Sequence, residues 1–425
     1  MPEMHDVIVI GGGPAGSTAA TLLARQGFSV RLLERERFPR FQIGESLLPY
    51  NNDLLERLGV IDQLAAGDFF PKFGAYFVTG DGSVGYSFRF DRTLPAPYNR
   101  SFQVQRSEFD DLLLRNAIAS GVDVQQETAV ANVDLSDPNR AIVRTAEGET
   151  HEARFVVDAT GHNSFLGNRV GDKADVASLK KIAVFSHYRN VPRAPGRDAG
   201  NTVIVVLRDA WFWMIPITSE LMSVGLVVDR DHITNCGLAP GELLEQTIRE
   251  TPFVADLMKH AERTMEIRVR KDFSYLMRKL TGPNYALVGD AAGFLDPIFS
   301  TGVFLAMTSA DMATNAIAQR LRDGSMRALD SYQREMTRAL RKYFRFIDHF
   351  YRREFLEVLM HPSDKWGLLQ MIIGIFGGDI FIKRNNRLKV MLFFALVKIQ
   401  KWRAGLIAPR IAWDTLPSPS RMESA

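Results

Sequence analysis

The chain has 425 residues, and ordinary domain sizes of ~100 to 200 residues predict two or three structural units rather than one small core. With 46% hydrophobic and 24% charged residues it has the balance of a folded globular protein, which excludes extensive disorder outside the Pro/Ser-rich end from Leu416 to Ala425. A net charge of only +3, with no interleaved aromatic and basic module, excludes nucleic acid as the main partner, although residues 381–425 hold nine Lys/Arg against Asp414 and Glu423.

His5–Ile10 reads as a buried strand, Pro14–Gln26 as an Ala/Leu helix and Ser29–Glu34 as a second strand, which together make a βαβ unit. Glu45–Leu58 reads as a helix. Lys72–Val78 and Val84–Phe90 read as strands that leave for a second sheet, with a return at Ser101–Gln105 and the helix Ser107–Ala119. From Val122 to Asp158, three apolar runs are separated by the turns Asp137-Pro138-Asn139 and Glu147-Gly148, which predicts a small antiparallel excursion. Lys181–Tyr275 is a sheet-rich block. Tyr285–Gly289 is a short buried strand that leads to a helix beginning near Thr301, and the chain beyond residue 305 has helical spacing, including the run Met326–Met360.

The fold class expected is α/β: a Rossmann-type core with an inserted β-sheet domain and a C-terminal helical layer. The core is expected to be discontinuous, over residues 1–70, 101–165 and 276–325, with the second domain at 71–100 and 166–275 and the helical region at 326–425. The lone Cys236 excludes an internal disulfide and any CxxC metal or redox pair. With no signal-peptide pattern at the start, a cytoplasmic setting is expected. The apolar runs, such as Met391–Val397, are too short to be transmembrane, yet surface contact stays open. The basic C-terminal tail reads first as a solvated helical face, with a docking surface for an acidic partner or a membrane as the alternative.

Gly11, Gly13 and Gly16 form GxGxxG between a strand and a helix, with Glu34 ending the next strand. The pattern supplies a tight turn, close approach to a pyrophosphate, close helix packing and an acid for ribose hydroxyls. FAD is preferred to NAD because Val157-Asp158-Ala159-Thr160-Gly161 and Val288-Gly289-Asp290-Ala291-Ala292 follow two further strands, where small residues let ribityl and phosphate groups approach the backbone. Arg106 is either a ribityl or phosphate contact or a surface arginine. A single fingerprint leaves no second Rossmann domain for a nicotinamide, so reducing equivalents are expected from outside.

With these segments in place the chain resembles the p-hydroxybenzoate hydroxylase-like flavoproteins over residues 1–325. Three further motifs make it similar to the flavin-dependent halogenases. They are Phe41-Gln42-Ile43-Gly44-Glu45-Ser46-Leu47-Leu48-Pro49, Trp211-Phe212-Trp213-Met214-Ile215-Pro216 and Phe294-Leu295-Asp296-Pro297-Ile298-Phe299-Ser300-Thr301-Gly302.

The resemblance implies that FADH2, supplied by a separate flavin reductase, reacts with oxygen, and that chloride or bromide is oxidised to hypohalous acid beside the flavin. The acid travels through a tunnel to Lys72, which forms a haloamine or aims the oxidant by a hydrogen bond. An ammonium on a flexible stem suits either role, and burial would lower its pKa. The flavin contacts it implies are Gly11, Gly13, Pro14, Ala15, Gly16, Glu34, Arg35, Ile43, Gly44, Glu45, Ser46, Arg106, Val130, Thr160, Gly161, Gly289, Asp290, Gly302 and Val303.

The turn Ser300-Thr301-Gly302 at a helix start offers backbone N–H groups to the halide, although simple N-capping by Ser300 or Thr301 fits the same turn. Trp211 and Trp213, two apart on a strand and ending at Pro216, either wall the tunnel or fill a sheet-to-core interface. No metal site is expected. Phe299 stands where the tryptophan-type enzymes carry a glutamate, which points to an electron-rich phenol or pyrrole, free or on an acyl or peptidyl carrier protein, in secondary-metabolite or antibiotic biosynthesis. An aromatic monooxygenase, a geranylgeranyl-type reductase and a non-catalytic flavin-binding subunit are the rival readings.

Overall fold

Strands that read as unbroken apolar runs need cover on both faces. Val7–Ile10 and Phe155–Asp158 are such runs, and every residue in them is buried. In the computed structural model, which describes residues 4–170, 173–175, 179–271, 274–379 and 384–419, they are neighbours at the centre of one sheet. Its order is Thr281–Gly282, Tyr285–Leu287, Thr150–Asp158, Met4–Ile10, Val30–Leu33 and Asp123–Gln125. All pairings after the first are parallel. The helix Pro14–Arg25 packs against Arg106–Ala119 and Thr301–Asp323, giving the Rossmann-type core.

The second sheet runs Glu262–Arg263, Lys181–Arg189, Met222–Asp229, Ala210–Pro216, Thr202–Val206, Gly74–Thr79 and Gly85–Arg89. It is antiparallel except where Thr202–Val206 meets Gly74–Thr79. Side-chain alternation divides it into two faces. Phe77, Phe88, Trp211 and Trp213 join the main core. Val78, Phe212 and Met214 join a separate cluster with Leu243, Leu244 and Val254 of the helices Pro240–Glu250 and Pro252–Met258. The C-terminal layer contains Arg327–Phe350, Arg353–Met360, Leu368–Gly377 and Arg384–Trp402.

Several local expectations change. Glu45–Leu48 is extended rather than helical, because Ser46 bridges to Gln103; the helical turns run Pro49–Asn51 and Asn52–Arg57. Lys72–Val78 divides into Phe70–Lys72 and Gly74–Thr79, and the first piece pairs with Ser101–Gln103 in a two-stranded ribbon. Residues 101–103 therefore do not return to the Rossmann sheet. The antiparallel excursion is the hairpin Val130–Asp137 and Arg140–Thr145, while its third run, Thr150–Asp158, is a central strand of the core. The block Lys181–Tyr275 includes three helices within 230–258, needed to cover the outer apolar face. The run Met326–Met360 breaks at Tyr351. Leu416 is buried, and Pro417 accepts a hydrogen bond from the Arg208 N–H, so the start of the Pro/Ser-rich tail is docked; residues 420–425 lie outside the described residues.

Candidate functional site

The glycine turn is shaped for close approach. Gly11 has φ +102°, and a Cβ on Gly16 would stand 1.8 Å from the Gly11 carbonyl oxygen, so helix and strand meet backbone to backbone. Gly13 caps the Pro14–Arg25 helix with no side-chain hydrogen bond, leaving the first-turn amides, Ala15 among them, aimed outward. Glu34 is buried and accepts from the Gly12 and Glu36 amides, while Arg35 stays at the surface beside Glu36. Asp158 accepts from Thr160 N–H and O–H and from Leu166 N–H, and no atom lies within 4 Å of where a Gly161 Cβ would be. Asp290 is half-buried beyond Gly289, and desolvation pushes its carboxyl up to about 6 against the pull of Arg106 and Arg270. Val130 opens the hairpin and Val303 is buried in the Thr301–Asp323 helix. A helix N-terminus without a side-chain cap, the open glycine turn at Gly161 and the buried Glu34 fit a dinucleotide.

Arg106 is not a surface arginine. It is 7% exposed, donates two bonds to Asp110, one to the Ile43 carbonyl (2.6 Å) and one to the Gly44 carbonyl (3.3 Å), and so clamps the strap that carries Glu45 and Ser46. Glu45 is itself buried, 2.7 Å from the His187 ring through one oxygen.

Lys72 lies under this strap. It is 2% exposed, and its Nζ donates to Ser46 Oγ at 2.8 Å and to the Leu47 carbonyl at 3.2 Å, with the Phe90 ring 5.6 Å away. It forms no ion pair among the described residues, and burial alone pulls its pKa down to about 7. Ser46 Oγ is also 3.2 Å from Thr202 Oγ1, which accepts from Gln103 Nε2 at 2.9 Å. Gln103 makes a second bond to the Gly200 carbonyl. Ser46 accepts from Lys72, and either hydroxyl can donate across the contact between Ser46 and Thr202. Two of the Lys72 donor directions are held in the wall, and the third, an N–H or a lone pair, remains.

A continuous series of aromatic rings packs between the second sheet and the C-terminal helical layer. Phe299 stacks on Phe376 at 4.7 Å and meets Phe350 edge-on at 5.9 Å; Phe77 and Phe88 lie within 6 Å of Phe376. Trp211 joins Phe350 at 6.2 Å and Trp213 at 6.0 Å, with both indoles buried on the same face. Trp213 Nε1 donates to Ser223, and the strand ends at Pro216. Trp211 Nε1 donates to the Tyr351 hydroxyl, which donates at 2.7 Å to Asp296. Burial pushes that carboxyl up to about 6, against the Tyr351 bond.

Ser300 occupies the N-cap of the Thr301–Asp323 helix in left-handed conformation (φ 55°) without a side-chain cap bond, so the simple capping alternative is not what the turn does. The Thr301 and Gly302 amides are first-turn donors there. Gln103, Thr202, His187, Tyr351, Phe350 and Phe376 escaped the sequence reading. Only register across distant strands and the docking of the helical layer bring them to the site, and neither leaves a local pattern.

The fold and the glycine cradle define a flavoprotein of the Rossmann type. A family model described as tryptophan halogenase matches residues 6–96 and 89–355, and the chain belongs to this family: it is a flavin-dependent halogenase. It is 31% identical over 416 residues, 91% of each chain, to a 1H-pyrrole-2-carbonyl-[peptidyl-carrier protein] chlorinase of Pseudomonas fluorescens. It is 33% identical over 329 residues, 76% of this chain and 79% of the relative, to a brominase of the same carrier-bound pyrrole from Pseudoalteromonas luteoviolacea. Among solved structures, the myxobacterial chondrochloren halogenase superposes with a TM-score of 0.78 at 33% identity, covering 96% of this chain and 92% of that one. The family's chemistry uses FAD and a halide.

Proposed function

We propose that Lys72 is the catalytic amine that carries halogen from hypohalous acid to an electron-rich pyrrole or phenol. When bound, FADH2 would activate oxygen, and oxygen would supply the oxidising power that converts halide to hypohalous acid. The Gly11 to Gly16 turn and the Pro14–Arg25 helix would hold its pyrophosphate and Glu34 its ribose, with the strap clamped by Arg106 beside it. The Thr301 and Gly302 amides, on a positive helix end, bind the halide, with Ser300 shaping the turn.

The observation that carries the reading is the state of Lys72: enclosed, without a carboxylate partner, and with a pKa near 7. At neutral pH a large fraction is the free amine, whose lone pair attacks the halogen of hypohalous acid. An N–halogen bond forms, the O–halogen bond breaks, and hydroxide leaves to become water with the nitrogen's proton. The aromatic carbon then takes the halogen, its proton departs, and the amine is restored. Ser46, backed by Thr202 and Gln103 as positioning residues, and the Leu47 carbonyl hold two N–H groups and so aim the reactive direction. Trp211 and Trp213 wall the passage and keep the substrate from the flavin.

Phe299 offers rings where a carboxylate would assist a poorer nucleophile, which favours a pyrrole or phenol. The relatives that act on carrier-bound pyrrole support a tethered substrate, and delivery of reduced flavin by a separate reductase in the cytoplasm completes the reading. Mass spectrometry tests it: the enzyme, a flavin reductase, NADH and bromide are incubated with free and carrier-tethered pyrroles and phenols. A bromine isotope doublet that vanishes in Lys72→Ala, with FAD still bound, is expected; equal product from Lys72→Ala overturns the role.

A further inference from the structure

Nine large apolar side chains stand exposed among the described residues, and six of them gather at one place: Trp366, Leu388, Met391, Ile399, Trp402 and Leu406. Five follow the helix Arg384–Trp402 and the turn after it. At ~100° per residue, Leu388, Met391, Ala395, Ile399 and Trp402 fall within one arc about 80° wide, outward from the buried Phe393, Phe394, Val397 and Gln400. Exposed cations flank it on both sides, Arg387, Lys398 and Lys401 along one edge and Arg403 along the other. From residue 380 to 413 the chain has eight Lys/Arg and no Asp or Glu.

The two tryptophans bracket this surface. Trp402 is 78% exposed at the helix end, and Trp366 is 66% exposed beside its start. The Lys389 ammonium crosses so near the next residue that a Cβ on Gly367 would meet it at 2.8 Å. The other three tryptophans of the chain, Trp211, Trp213 and Trp413, are buried. No helix of the described residues is long and apolar enough to cross a membrane.

We infer that this face is a docking surface for an anionic lipid bilayer, on which the helix lies flat. The apolar arc enters the boundary between headgroups and acyl chains, the long basic stems spread to the lipid phosphates on either side, and the indoles settle at the interface. An acidic protein partner fits less well, because from Leu388 to Trp402 the arc is an apolar strip whose one N–H donor side chain is the Trp402 indole, and its cations lie along both long edges rather than on one side of a groove. The inference is independent of how Lys72 acts.

Flotation of the full-length FAD-loaded enzyme with vesicles tests it. Recovery with vesicles of about one third phosphatidylglycerol in phosphatidylcholine is expected to exceed recovery with phosphatidylcholine alone by about tenfold, and to fall at high salt. Trp402 fluorescence shifts to the blue on binding. Combined Leu388→Ser, Met391→Ser and Trp402→Ser keeps every cation and removes binding; Lys398→Gln, Lys401→Gln and Arg403→Gln keeps the arc and removes the preference for anionic lipid. All six are exposed, so flavin content and circular dichroism are expected to match wild type. Equal recovery on both vesicles, or wild-type recovery of the serine variant, overturns the inference. So does indifference to vesicles combined with capture of an acidic carrier protein through the same residues, which would give the surface to a protein partner.

Discussion

The nucleotide cradle and the amine chamber are built on opposite plans. The cradle is mostly main chain: Gly11, Gly16 and Gly289 let protein segments meet at close range and Gly161 leaves open space, so side chains matter by being absent. The chamber is mostly side chain, assembled from Ser46 of the strap, two short strands at Lys72 and Gln103, Thr202 of the second sheet and the Phe90 ring, with the Leu47 carbonyl as its main-chain partner. A backbone site tolerates little added bulk and reads clearly in one stretch of sequence. A side-chain site depends on distant segments arriving in register.

Lys72 is where that contrast breaks hardest. Lys72→Met is expected to lower halogenation by at least about a thousandfold while leaving FAD absorbance intact. The same change should stabilise the fold. The native amine titrates near 7 and the unfolded one near 10.5; below pH 7 both states hold the proton and the full burial cost, up to ~5 kcal/mol, is present. Wild-type stability therefore rises with pH from about 7 to 10.5, and the methionine variant's advantage in urea denaturation should shrink over that window. Halogenation by wild type should fall away as pH drops below about 7.

Gly16→Ala attacks the cradle instead. Its Cβ would overlap the Gly11 carbonyl oxygen, and FAD affinity measured by flavin fluorescence should weaken by about a hundredfold or the protein should purify without flavin. Within the chamber, Ser46→Ala should cut turnover at pH 8 by about 10- to 100-fold through misaimed Lys72. Loss of an acceptor for the ammonium also moves the acid limb of the pH profile to lower pH, which a purely structural defect would not do.

Tyr351→Phe is the mildest change. It deprives Asp296 of its donor, at about 1–2 kcal/mol by urea unfolding at pH 8. That loss should shrink at pH 5, because the carboxyl, which titrates near 6, is then already protonated.

What was legible in the sequence follows the same division. The βαβ unit, the glycines, Glu34 and the helix starting at Thr301 were readable because each is local: a period, a turn residue or a strand-end acid. Lys72 was found through its motif-like position and its flanking aromatics, and the structure encloses it as those flanks suggested. The extended strap at Glu45–Leu48 was misread as helix, because its apolar spacing suits either state and only pairing with Gln103 decides. The helices within residues 230–258 were absorbed into a sheet-rich block, since nothing local says that the outer face of that sheet needs cover. Tyr351 could not be found by pattern at all; it matters only because it closes a helix against Trp211 and Asp296.

The seclusion of the Lys72 amine also makes it selectively labelable. Exposed lysines at neutral pH are almost wholly protonated and inert toward electrophiles, whereas this one, only 2% exposed, is substantially a free base that bulky reagents cannot reach directly. Cyanic acid is small and uncharged, so brief treatment with cyanate at pH 7 should carbamylate Lys72 ahead of the surface amines, and bulky acylating dyes should reverse that order.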